Sequence, residues 1–189
     1  FDNGERYNEI DWAKNLSEKI GVEHHYKVIT PEEYWGNIRK VQYHMDQPLA
    51  DASCIALYFV SKMARDYVKV VLSGEGADEL FGGYNIYHEP DDLASYQKLP
   101  LFLRKALAGI AKALPFRFRG KSFLIRGSQP IEENFYGNCS MFTMEEKKKL
   151  LKKDIPCTRP QELTKPYYDR VQDLDDVTKM QYVDINVWL

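Results

Sequence analysis

The sequence predicts an α/β fold over residues 1–90, with a parallel sheet at its centre, followed by an all-helical region over residues 91–189. Three observations lead there. The run Val68-Lys69-Val70-Val71-Leu72 is short, apolar and rich in β-branched residues, the pattern of a parallel strand covered on both faces. It breaks at once into Ser73-Gly74-Glu75-Gly76-Ala77-Asp78-Glu79, which cannot continue a strand. A looser alternation from Val22 to Ile29 gives a second strand, and helical periodicity surrounds both, so strands alternate with helices as a parallel sheet requires.

In chain order, Phe1-Asp2-Asn3-Gly4 is a turn, and Asn8 caps a helix carrying Ile10, Ala13, Leu16 and Ile20 until Gly21 stops it. The strand Val22–Ile29 holds His24 and His25, which point to opposite faces and cannot serve one site together. Thr30-Pro31-Glu32-Glu33 then offers a capping hydroxyl, a proline at the first helical position and a glutamate at the third. Tyr34, Ile38, Val41 and Met45 make the buried stripe of that helix. The loop from Asp46 to Ser53 opens another helix with Ile55, Phe59 and Met63 inward, and Asp51 and Ser53 are either caps or pocket residues. Residues 85–99 read as polar and turn-rich, broken at Glu89-Pro90-Asp91-Asp92. Leu103, Leu107, Ile110 and Leu114 form the next helical stripe, ended by Pro115. Thr143-Met144-Glu145-Glu146 is a capping box, and helices follow over 160–173 and 176–189, the last with Val177, Met180, Val183 and Val187 inward.

The chain has 189 residues and a net charge of −2, from 26 basic and 28 acidic residues, which argues against a general nucleic-acid binder. From Lys98 to Arg126 basic residues gather with no acidic one among them, and the expectation is a solvated helix face. No apolar run reaches the roughly 18 residues of a membrane span and no signal peptide stands at the start, so no membrane partner and a cytoplasmic location are expected. Cys54, Cys139 and Cys157 have no metal-ligand spacing and are expected to be reduced and structural. Phe1 in place of a methionine suggests a segment of something longer.

The loop after Leu72 carries the chemistry. Gly74 and Gly76 let the backbone bring its N–H groups close to a ligand, Ser73 adds a hydroxyl, and Glu75, Asp78 and Glu79 supply oxygen. An anion-cradling backbone beside metal-attracting carboxylates suits a magnesium–phosphate substrate. Phe81 and Tyr84 are expected to pack the loop down.

The string LSGEGADELFGGY, Leu72 to Tyr84, closely resembles the signature of the synthetase domain of glutamine-hydrolysing asparagine synthetases, with β-lactam synthetase as a relative. The resemblance implies a Rossmann-like, ATP-pyrophosphatase (adenine-nucleotide alpha-hydrolase-like) sheet and ATP with Mg2+ as cofactors. It implies amidation of aspartate, or of a similar carboxylate, through an acyl adenylate, with ammonia from an N-terminal glutaminase domain. Under it Ser73, Gly74 and Gly76 contact the nucleotide, Asp78 ligates the metal and Glu75 lies beside the reacting centre. Asp46, Asp51 and Ser53 face the substrate pocket, and Glu79 pairs with a basic residue to hold the loop. A homodimer stays open, as do ring closure of the β-lactam synthetase type and a non-catalytic relative that keeps the fold. The family's SGGxDS phosphate loop, its nucleophilic cysteine and its SLExRxPFLD-like motif do not occur in the 189 residues, so the chain by itself is expected to be inactive.

Overall fold

Thr30 begins its helix as the sequence requires. Its hydroxyl accepts the Glu33 N–H at 3.2 Å and the Glu33 carboxylate accepts the Thr30 N–H at 3.2 Å, a closed capping box with Pro31 in the first turn. The computed structural model describes residues 9–47, 51, 53–116, 118–138, 142–153 and 155–189. The chain forms two compact units, Phe1–Ser73 and Gly74–Leu189, each with a core of its own.

The first unit contains helices α1 (Ile10–Ile20), α2 (Pro31–Met45) and α3 (Ser53–Ala64). Gly21, at φ 72°, ends α1 in the left-handed conformation that its sequence position predicts. Asn8, the expected cap, lies outside the described residues. The core joins Ile29, Val41, Cys54, Ile55 and Phe59, with Tyr34 and Ile38 packed against it, so most of the stripes read for α2 and α3 faces inward; Met45, read as the last inward residue of α2, is exposed, and Met63 is half-buried outside the core. The stripe of α1 does not: Leu16 and Ile20 are exposed and its only buried residue is Ser17.

The predicted sheet is the main correction. Among the described residues there is no strand. Val22–Ile29 is an irregular connector, fastened at its end because Lys27 reaches Glu33 at 2.7 Å and stands 5.5 Å from the Phe59 ring centroid while Ile29 enters the core. Val68–Leu72 is extended only by composition; Val70 is 81% and Leu72 99% exposed. A strand exists through its ladder, and among the described residues neither run has a second strand to pair with; the N–H groups of Val22 and Val68 bond back to the Ser17 and Ala64 carbonyls of the helices before them. The α/β, Rossmann-like assignment is therefore replaced by a helical one.

The second unit runs α4 (Ala77–Phe81), a 3₁₀ turn (Asn85–His88), α5 (Glu89–Gln97), α6 (Leu101–Ala113), α7 (Lys121–Arg126), α8 (Ile131–Asn134), α9 (Met144–Leu150), α10 (Pro160–Tyr168) and α11 (Asp176–Val187). Its core is Tyr87, Ile131, Phe135, Tyr168, Met180 and Val183. Residues 89–92, read as a break, start α5 instead: Pro90 suits a first turn and Glu89, Asp91 and Asp92 complement the positive end of the helix dipole. On α6 the inward face is Ala108 and Ala111, not the larger Ile110, because small side chains let α7 approach closely. The Thr143 capping box forms, and Met180 and Val183 are fully buried as expected, whereas Val187, also read as inward, lies in the last turn of α11 and is exposed.

Three cations of the basic stretch have structural uses. Arg104 donates to the carbonyls of Leu99 (3.0 Å) and Gly127 (2.6 Å), Lys121 to that of Leu114 (2.6 Å), and Arg126 pairs with Glu89. No helix among the described residues is long and apolar enough to cross a membrane.

Candidate functional site

The loop from Gly74 to Tyr84 is built on four glycines and one short helix. Gly76 (φ 86°) and Gly82 (φ 70°) stand at either end of α4 in the left-handed region, where a side chain would be strained. The Gly83 N–H donates to the Asp78 carbonyl at 2.8 Å, folding the chain back over the helix. That approach leaves no room for a side chain: a Cβ on Gly83 would lie 2.0 Å from Asp78 Oδ1 and 3.2 Å from Asp78 Cα.

Glu79 anchors the loop from below. It is 2% exposed and accepts the Tyr84 hydroxyl at 3.0 Å. The expected basic partner is thus replaced by a tyrosine, whose burial and carboxylate neighbour push its hydroxyl above the usual value. The Gln181 amide on α11 donates to the carbonyls of Glu79 (2.7 Å) and Leu80 (3.2 Å). Tyr84 packs down as expected, but Phe81 is 86% exposed.

One layer deeper, Asp184 is fully buried. It accepts the Tyr87 hydroxyl at 2.7 Å, the Asn138 N–H at 2.9 Å and the Asn138 side-chain amide at 3.1 Å. Burial raises its carboxyl above the ordinary value, and burial together with Asp184 raises the Tyr87 phenol. Neither Gln181 nor Asp184 stood out in the sequence. Asp184 did sit one residue beyond Val183 on an otherwise apolar face, which is the trace a buried polar residue leaves.

The expected site residues divide between the units. Gly74, Glu75, Gly76 and Asp78 share the loop, where Glu75 and Asp78 are exposed at its surface. Gly76 is buried, and a Cβ there would meet Leu189 at 3.0 Å. Ser73 is exposed and is the last residue of the first unit. Asp46 caps the C-terminus of α2 with φ 60° and borders a shallow surface lined by Arg39, Gln42, Tyr43, His44 and Gln47. Asp51 accepts the Ser53 N–H at 2.8 Å, and the two hydrogen bonds from Ser53 hold its carboxyl below the usual range. It therefore acts as a cap at the start of α3.

No group of three or more His, Cys, Asp or Glu side chains among the described residues is arranged to hold a metal alone. Magnesium needs no such cage: it commonly takes one or two carboxylates together with substrate phosphates and water, and the exposed Asp78 fits that donor set.

Fold and loop together define a helical scaffold that presents two carboxylates on a glycine-bracketed, internally anchored turn. The chain belongs to the asparagine synthase family, whose model matches residues 1–189. It is 45% identical over 183 residues to the glutamine-hydrolysing asparagine synthetase 1 of Bacillus subtilis, covering 97% of this chain and 29% of that protein. A Mycobacterium bovis protein, which carries the glutamine-hydrolysing asparagine synthetase name in provisional form, is 41% identical over 185 residues, covering 98% of this chain and 28% of its own length. The chain thus spans less than a third of these curated relatives. No solved structure matches it.

Proposed function

We propose that the protein carrying this chain is an ATP-dependent ligase that converts aspartate to asparagine in the cytoplasm, where both ATP and aspartate are at hand. The side-chain carboxylate of aspartate attacks the α-phosphorus of ATP and pyrophosphate leaves, giving a β-aspartyl adenylate. Ammonia then attacks the acyl carbon and AMP departs with the electron pair of the broken C–O bond. Glutamine hydrolysis in a domain outside these 189 residues supplies the ammonia. Family membership and the names of the relatives support the amidation, and the anchored loop with its exposed Glu75 and Asp78 is the observation that carries the residue roles.

In this reading Ser73, Gly74 and Gly76 contact the nucleotide; the exposed hydroxyl of Ser73 and the exposed backbone of Gly74 allow close approach to phosphate. Asp78 holds Mg2+. When bound, the ion neutralises phosphate charge as pyrophosphate leaves. Glu75 lies where an exposed carboxylate can position the incoming nitrogen and accept its proton. Asp46, Asp51 and Ser53 face the substrate pocket, with Asp51 also keeping its capping role. The isolated 189 residues do not catalyse, since the chain holds no SGGxDS loop to grip the far end of the triphosphate.

The test is Asp78→Asn in the intact protein, read as ammonia-dependent AMP formation. The substitution removes a charge contribution of several kcal/mol and should lower the rate by about 100-fold or more. An unchanged magnesium-dependent rate would remove the loop from the ATP site.

A further inference from the structure

We propose that Gln181 is a positioning residue for the acidic loop: from α11 it clamps the backbone that carries Asp78 and so sets where that carboxylate points. The role for Asp78 rests on the function proposed above; the clamp itself rests on geometry alone.

A helix of five residues has almost no internal ladder, so its last carbonyls need partners from elsewhere. One side-chain nitrogen meets that need here, since Gln181 Nε2 donates to both Glu79 and Leu80, 102 and 101 residues earlier in the chain. The Glu79 carbonyl adjoins Asp78 directly. On the opposite side the Asp78 carbonyl is taken by Gly83, and the Glu79 side chain is buried and held by Tyr84. These contacts oppose rolling of α4 about its axis, the motion that would swing the Asp78 side chain. Loss of the Gln181 donor releases the C-terminal end while leaving the apolar core untouched, because Met180 and Val183 supply the buried face of α11.

Two variants of the intact protein test the clamp: Gln181→Met, which keeps length and loses the donors, and Gln181→Lys, which keeps a donor. Amide hydrogen exchange at Gly82 and Gly83 is followed beside the magnesium concentration giving half-maximal AMP formation. In Gln181→Met both should rise by about tenfold, the effect of one net hydrogen bond, with the KM for aspartate within about twofold. Gln181→Lys should stay within about threefold of the parent on both measures. If Gln181→Met does not accumulate, Gln181→Glu keeps the shape and loses the donors, and because its carboxylate faces two carbonyl oxygens both measures should rise by at least as much. Unchanged exchange at Gly83 overturns the clamp. Faster exchange with unchanged magnesium dependence overturns the positioning of Asp78. A parent without magnesium-dependent ATP turnover overturns the ligase reading instead, and the exchange data alone then decide the clamp.

Discussion

Asp184→Ala measures how much of the second unit depends on one buried carboxylate. The substitution strands three donors, the Tyr87 hydroxyl, the Asn138 N–H and the Asn138 side-chain amide, which now meet Asp184 at 2.7, 2.9 and 3.1 Å. Each buried donor left without a partner costs about 1–3 kcal/mol. Against that, the variant no longer has to keep a carboxylate out of water, which returns part of the loss. The net expectation is a loss of about 2–4 kcal/mol, a large share of the roughly 5–15 kcal/mol that holds an ordinary domain together. Tyr87→Phe removes a donor and leaves Asp184 both contacts with Asn138, so it should cost only about 1–2 kcal/mol. The double variant should fall short of the sum by about 1 kcal/mol or more, because the two single changes break one shared bond. Urea unfolding of the intact protein, followed by circular dichroism, supplies all four corners of the cycle. A loss below about 1 kcal/mol for Asp184→Ala, or additivity within about 0.5 kcal/mol, would refute the network as a determinant of stability.

Gly83→Ala should displace the Asp78 carboxylate, since the new methyl would stand 2.0 Å from Oδ1 and 3.2 Å from the Asp78 backbone. Magnesium-dependent AMP formation should fall by about tenfold or more, whereas Gly36→Ala, with open space around it, should leave the rate unchanged. The buried Asp184 gives a pH dependence of defined sign. Its carboxyl is raised above 3.8 by burial, so the native chain keeps that proton at pH values where the unfolded chain has lost it. Stability from this group is complete below 3.8 and is lost as pH rises through the raised value. The parent should therefore lose stability relative to Asp184→Asn as pH climbs from 3.8, which urea midpoints at several pH values would show.

What the sequence revealed was mostly local. Thr30 and Thr143 announce helix starts because a capping box closes within four residues, and Gly21 announces a stop because one backbone angle decides it. Most of the stripes of α2 and α3 was legible for the same reason, with Met45 at the end of α2 the exception. The strands failed because Val68–Leu72 has strand composition, while a strand depends on partners that composition does not show. The α5 start was misread because Pro and acidic residues mark loops and first turns alike. On α6 the large apolar residues drew attention, although close packing was set by two alanines. The candidate site divides in the same way. Glu75, Gly76 and Asp78 lie within four residues and are visible in a single string, but Gln181 holds that loop, and Asp184 holds Tyr87 just beyond it, from about a hundred residues away, and only the folded chain brings them near.

The bare Val68–Leu72 run also bears on solubility. Five residues of high β-propensity with a single charge, Lys69, resemble the segments that stack into cross-β fibrils once their backbone is uncovered. Two copies meeting there can satisfy each other's N–H and C=O groups and bury Val70 and Leu72 in one event. Lys69 is the gatekeeper against that outcome, since stacking in register would place like charges about 4.8 Å apart along the fibril.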